Sequence, residues 1–172
     1  KETQPAVGGG AVVSSHVAQR TPAAVAFSHG LVSSAIYEGT SALRRLGLHR
    51  SAATSLADRN PVAAGEIVDV ARHWAIVAAG DPTARNTAAR WSARAGIAAS
   101  AAASVDEAIA CFERAIATWD EPSSEYADTL VRLGSALMAA GNLSEGKDHL
   151  LDALRVADAA GDAAGCARGV LG

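Results

Sequence analysis

Residues 106–119 read DEAIACFERAIATW, and within them Ala108, Phe112 and Ala115 fall on one helical stripe, because positions four and three apart face the same way. A helix that only hides one face from water has no need of the order small, large, small. Small side chains let a second backbone come close, and the large one fills the space between. The stretch therefore predicts a helix pressed tightly against a neighbour. Shifting the chain against itself by 38 residues repeats the arrangement: Gly96 falls on Gly134, Val105 on Leu143, Glu107 on Glu145, Phe112 on Leu150, Ala115 on Ala153 and Ile116 on Leu154. The second stripe is then Gly146, Leu150 and Ala153. In each unit the glycine sits on a first helix and the stripe on a second, so the unit is a helical hairpin used twice. Ser104 with Glu107 and Asn142 with Glu145 have capping-box spacing and mark where the second helices begin.

Composition agrees with tight helical packing. Of 172 residues 49% are hydrophobic but only 4% aromatic, so the apolar content is largely alanine, which favours helix and buries little area per residue. The length allows one domain with a real core. A formal net charge of −3 and the lack of a long basic run argue against nucleic-acid contact by this segment. Cys111 and Cys166 have no CxxC or Cys/His spacing and read as reduced, small core residues. No apolar run approaches the roughly 18 residues needed to span a bilayer. The opening KETQPAVGGG lacks the apolar centre of a signal peptide. The expected location is cytoplasmic, away from membranes.

Upstream, NPVAAGEIVDVARHWAIVAAG (60–80) offers Asn60 as a cap and Pro61 at the first helical position, and runs at helical period through Ile67, Val70, Ala71 and Trp74. DPTARNTAARW (81–91) repeats that start with Asp81 and Pro82. An antiparallel pair of helices over 62–79 and 83–101 follows, the second serving as first helix of the first repeat. SALRRLGLHRSAATSLAD (41–58) predicts an amphipathic helix, and FSHGLVSSAIYEG (27–39) a shorter one ending at Gly39. Before residue 28, Gly8 to Gly10 read as flexible, while AVVSS and AVAF are short β-prone runs flanking a polar loop, the pattern of a short β-hairpin near the N-terminus. The predicted fold class is all-α, antiparallel helical hairpins stacked on one another, with an N-terminal segment over 1–58 and a repeat domain over 59–172.

LVRLGSALMAAGNLSEGKDHLLDAL (130–154) and SARAGIAASAAASVDEAIACFERAI (92–116) resemble the tetratricopeptide repeat, which places Leu-Gly on its first helix and Ala, an aromatic or Leu, and Ala on its second. Ala95 and Ala99 stand where larger residues are usual, and DEPSS (120–124) absorbs the excess over the family's 34-residue period. A third unit is expected from Asp162, with Leu171-Gly172 matching Leu133-Gly134, so the chain is expected to be a piece of a longer protein. The order of the helices further resembles the segment that follows the nucleotide-binding module in signal-transduction ATPases, the LuxR- or MalT-type transcriptional regulators; Ser33 and Ser34 depart from the Arg and Glu often found there.

These resemblances imply a winged-helix-like remnant followed by a right-handed tetratricopeptide-like solenoid. The implied role is a protein–protein interaction or regulatory sensor module, without catalysis of its own, in a larger ATP-dependent regulator. His29 would touch nucleotide phosphates in the full-length parent, ATP or ADP being met only through the parent's nucleotide-binding domain; packing of a half-buried helical histidine is the other reading. First helices line the concave face of such arrays, which selects Arg90, Ala93, Arg94 and Ile97 in one unit, and Asp128, Val131, Arg132, Ser135 and Met138 in the next, as a peptide-binding groove. That surface, apolar and basic, suits an acidic, partly apolar peptide from a partner protein or from the same polypeptide. A solvated polar face is the alternative for the same positions.

No chemistry competes with these readings. The chain has no GxxxxGK followed by Ser or Thr and no GxSxG, so no catalytic set is assigned and no cofactor is expected. His16, His29, His49, His73 and His149 never stand three or four apart, so no helix-borne metal pair is expected. Trp74, Trp91 and Trp119 read as core aromatics, Arg44, Arg45 and Arg50 as a solvated face, and Asp106-Glu107 as helix-capping acids. A stand-alone repeat scaffold and the helical regulatory region of a signalling enzyme such as a cyclase or kinase remain the alternative functions.

Overall fold

A computed structural model describes residues 30–159. They form α1 (Gly30–Gly39), α2 (Ala42–Ala57), α3 (Ala64–Gly80), a 3-10 turn (Pro82–Ala84), α4 (Arg85–Ala101), α5 (Val105–Thr118), α6 (Ser124–Ala139) and α7 (Leu143–Ala159), with no strand among the described residues. The fold is all-α and repeat-like. The expected β-hairpin, His29, Cys166 and the expected third unit from Asp162 lie outside the described residues. The described residues divide between a unit that ends at Tyr37 and one that begins at Glu38. In the second, α2 packs on α3, α3 on α4, α4 on α5, α5 on α6 and α6 on α7, each helix against its chain neighbours.

The small, large, small stripe of α5 is buried throughout, with Phe112 2% exposed. A methyl group placed on Gly96 of α4 would lie 2.6 Å from the Phe112 ring, so the ring occupies the space of the missing side chain. The second unit repeats the device with smaller parts. A methyl on Gly134 of α6 would lie 2.9 Å from Leu150 and 2.7 Å from the carbonyl oxygen of Gly146, because here two glycines face each other and the backbones meet directly. Apolar clusters continue from hairpin to hairpin. Ile67 and Ala71 of α3 pack with Ala95 and Cys111; Ala99, Ala108 and Phe112 pack with Leu133 and Leu137 of α6.

The two hairpin turns are also the same. Ala103 and Gly141, 38 residues apart, both adopt left-handed backbone, with φ of 57° and 92°. Ser104 N–H donates to Ala99 O at 3.0 Å and Ala103 N–H to Ser100 O at 3.0 Å; Asn142 N–H donates to Leu137 O at 2.9 Å and Gly141 N–H to Met138 O at 3.0 Å. This is the Schellman termination, and it satisfies carbonyls that α4 and α6 would otherwise leave open.

Several local expectations are corrected. Asn60 does not cap α3: it takes left-handed backbone (φ 50°) and donates to Ala57 O at 2.9 Å, so it ends α2, and α3 starts only after Ala63. Ser104 makes no side-chain cap to α5; its carbonyl accepts from Ala108 N–H instead. Side-chain caps form at Ser41, Asp81 and Ser123. Of the tryptophans expected in the core, Trp119 is 8% exposed and the half-buried Trp91 packs against the cluster of Ile67, Ala71, Ala95 and Cys111, while Trp74 is half-buried. Arg50 is paired with Asp81, not merely solvated.

Candidate functional site

α4 and α6 are equivalent first helices, and α5 packs behind both, which leaves the face between them open. Two adjoining clefts occupy it. One, of about 470 Å³, is walled by Arg90, Ala93, Arg94 and Ile97 of α4, by Trp119, and by Glu125, Asp128 and Thr129 of α6. The other, of about 420 Å³, has Ile97 and Ser100 on the α4 side, Asp128, Val131, Arg132 and Ser135 on the α6 side, and a floor that includes Ala108 and Phe112 of α5. Ile97 and Asp128 border both, so the clefts are continuous. Every residue selected for the groove lines this face except Met138. A methyl on Gly146 would lie 2.6 Å from Met138 Cγ, so the stem of Met138 lies against that glycine while the side chain stays 41% exposed.

The charges of this face are mostly engaged within it. Arg90 Nε lies 2.8 Å from Glu125 Oε2, and Arg132 Nε 2.8 Å from Asp128 Oδ2. These pairs are exposed, and each contributes about 0–1 kcal/mol, little enough for an incoming carboxylate to exchange into them. Arg94 meets no carboxylate among the described residues; its guanidinium lies over Trp91, 4.0 Å from the ring centre. Three arginines thus face two carboxylates, leaving one cation unmatched. The hydroxyls of Ser100, Thr129 and Ser135 donate to carbonyls one turn back on their own helices. Trp119 Nε1 is buried without a hydrogen-bond partner among the described residues, beside the Arg90 guanidinium at 5.7 Å.

On the reverse side, a cleft of about 500 Å³ is lined by Val68, Ala71, Arg72 and Ile76 of α3 with Ala95, Cys111 and Arg114. Cys111 is a free, buried thiol in the core, with Arg114 Nη1 3.9 Å from its sulfur.

A second grouping joins residues of two different helices. His49 of α2 and His73 of α3 point their Nδ1 atoms at each other across 2.7 Å, their ring centres 5.0 Å apart. At that separation one Nδ1 carries the hydrogen and the other accepts it. Burial holds the His73 pKa below its usual value, helped by the nearby His49 and Arg72 and opposed by Asp69. The signal was present in the numbering: each histidine stands twelve residues from Pro61, and an antiparallel hairpin brings together positions equidistant from its turn. Among the described residues no group of three or more His, Cys, Asp or Glu is placed to hold a metal, and no helix is long and apolar enough to cross a membrane.

The chain matches no protein-family model, and no curated protein matches it significantly.

Proposed function

We propose that this chain is a peptide-binding regulatory module, a tetratricopeptide-like right-handed solenoid whose α4–α6 face takes an acidic, partly apolar segment of a partner protein or of the same polypeptide. The observation that carries this reading is the continuous cleft, whose apolar lining of Ile97, Val131 and Phe112 is accompanied by three arginines and two carboxylates. Arg94 offers a planar fork to a carboxylate without first giving up a partner acid. Arg90 and Arg132 contribute by exchange, and apolar side chains of the ligand would settle on the apolar lining. The module binds and does not catalyse. The resemblance to LuxR- and MalT-type signal-transduction ATPases supplies the setting, a larger ATP-dependent transcriptional regulator, in which a segment held here would shift the balance between two states. The phosphate-sensing role of His29 rests on that resemblance alone; unchanged nucleotide affinity and exchange in His29→Ala of the full-length protein would end it.

The binding test uses fluorescence anisotropy with a synthetic peptide alternating Glu and Leu, against a counterpart with Lys for Glu. The acidic peptide should bind more tightly, and more weakly as salt rises. Arg94→Glu and Arg132→Glu should each weaken it about tenfold, or about 1.4 kcal/mol. Equal binding of both peptides, or full affinity in both charge reversals, would remove the reading.

A further inference from the structure

We propose that His49 and His73 together bind a divalent late first-row transition ion, copper(II) foremost, which fastens α2 to α3. Their Nδ1 atoms lie 2.7 Å apart on neighbouring helices, one proton between two lone pairs. A metal ion is the other species that engages two imidazole lone pairs at once. With metal–nitrogen bonds of about 2.0 Å, two nitrogens at a right angle on one ion stand about 2.8 Å apart, and at a tetrahedral angle about 3.3 Å. The first arrangement leaves the nitrogens close to where they stand, but the lone pairs, now aimed at each other with the ring centres 5.0 Å apart, must each turn by about 45° to meet on one ion; it is the tetragonal geometry of copper(II), which also heads the affinity order for nitrogen ligands. Zinc(II), preferring the wider angle, should bind more weakly.

The surroundings permit an ion to enter. Both histidines are half-buried, so water reaches the pair and can complete the coordination. Asp69, one turn before His73, is engaged by Arg72 at 2.6 Å, which tempers the repulsion that this arginine offers a cation. On binding, the shared proton moves from Nδ1 to Nε2 of its own ring; both imidazoles present Nδ1 lone pairs and neither changes charge. Burial of His73 favours that neutral form.

The test is a titration of the chain with copper(II) sulfate, followed by calorimetry, electron paramagnetic resonance and amide line broadening. The expected result is one tight equivalent with splitting from two nitrogens, broadening centred on residues near 49 and 73, and a raised melting temperature. His49→Asn and His73→Asn should each lower the affinity about tenfold or more, while His149→Ala leaves it unchanged. The wild-type spectra decide the matter even if a variant misfolds: one-nitrogen splitting, or broadening centred elsewhere, overturns the proposal. So does a folded His49→Asn or His73→Asn variant that keeps the wild-type affinity.

Discussion

Gly96 and Gly134 are helix-interior glycines, where alanine would ordinarily gain up to about 1 kcal/mol of helix propensity. Their surroundings reverse that sign. Phe112 lies 2.6 Å from a methyl at Gly96, and the Gly146 carbonyl lies 2.7 Å from one at Gly134. Gly96→Ala should therefore destabilise by about 1–3 kcal/mol, and Gly134→Ala by more, because backbone yields less readily than a ring. Gly47→Ala in α2, with nothing within 4 Å, should stabilise instead. Chemical denaturation of the three variants measures the order; a stabilising Gly96→Ala would mean that Phe112 does not sit on this glycine. Ala103 and Gly141 give a mirrored test. Both hold left-handed backbone, which strains a side chain but not glycine. Ala103→Gly should gain about 0.5–1 kcal/mol and Gly141→Ala lose a similar amount; opposite signs in the same denaturation assay would deny that the turns are equivalent. The glycine and phenylalanine positions were legible from the sequence because a fixed offset repeats them. The strained Ala103 was not, since nothing in alanine announces positive φ.

At the scale of elements, the helices were legible and their ends were not. Periodicity located α2 to α7, but a cap depends on backbone geometry that neighbouring turns decide. Asn60 was drawn into ending α2, and Ser104 into a Schellman turn. Asp81 caps the 3-10 turn that leads into α4 and not α4 itself, which starts at Arg85 without a side-chain cap: it accepts from Thr83 N–H at 3.0 Å and Thr83 Oγ1 at 2.6 Å, and it pairs with Arg50 of α2. The Thr83 hydroxyl, then its backbone N–H, then Arg50 hold the carboxyl below its ordinary value of 3.8. A carboxylate with a depressed folded pKa adds stability that is present above the unfolded value and lost as the pH falls through the folded one. Asp81→Ala should thus lower the melting temperature at neutral pH, and the gap from wild type should narrow as the pH falls below 3.8. A gap that stays constant into acid would show that the charged form contributes nothing. The partner Arg50 could not be found by spacing, since it lies on another helix 31 residues away.

Over the whole α4–α6 face, counting from the two glycines found the lining residues, because the repeat fixes which side of each first helix faces the same way. Counting did not reveal the charge balance. Arg90 meets Glu125 across 35 residues, so a surface that looked basic in sequence is nearly balanced in space. Nor could counting foresee that the stem of Met138 would lie against Gly146. The claim that a partner is held between the first helices is tested most directly by amide chemical-shift mapping of the isotopically labelled chain with the Glu/Leu peptide. The account predicts the largest shifts at Arg94, Ile97, Asp128, Val131 and Ser135, which between them line the two clefts. Shifts concentrated instead on the exposed residues of α5 and α7, with those five positions unmoved, would contradict it.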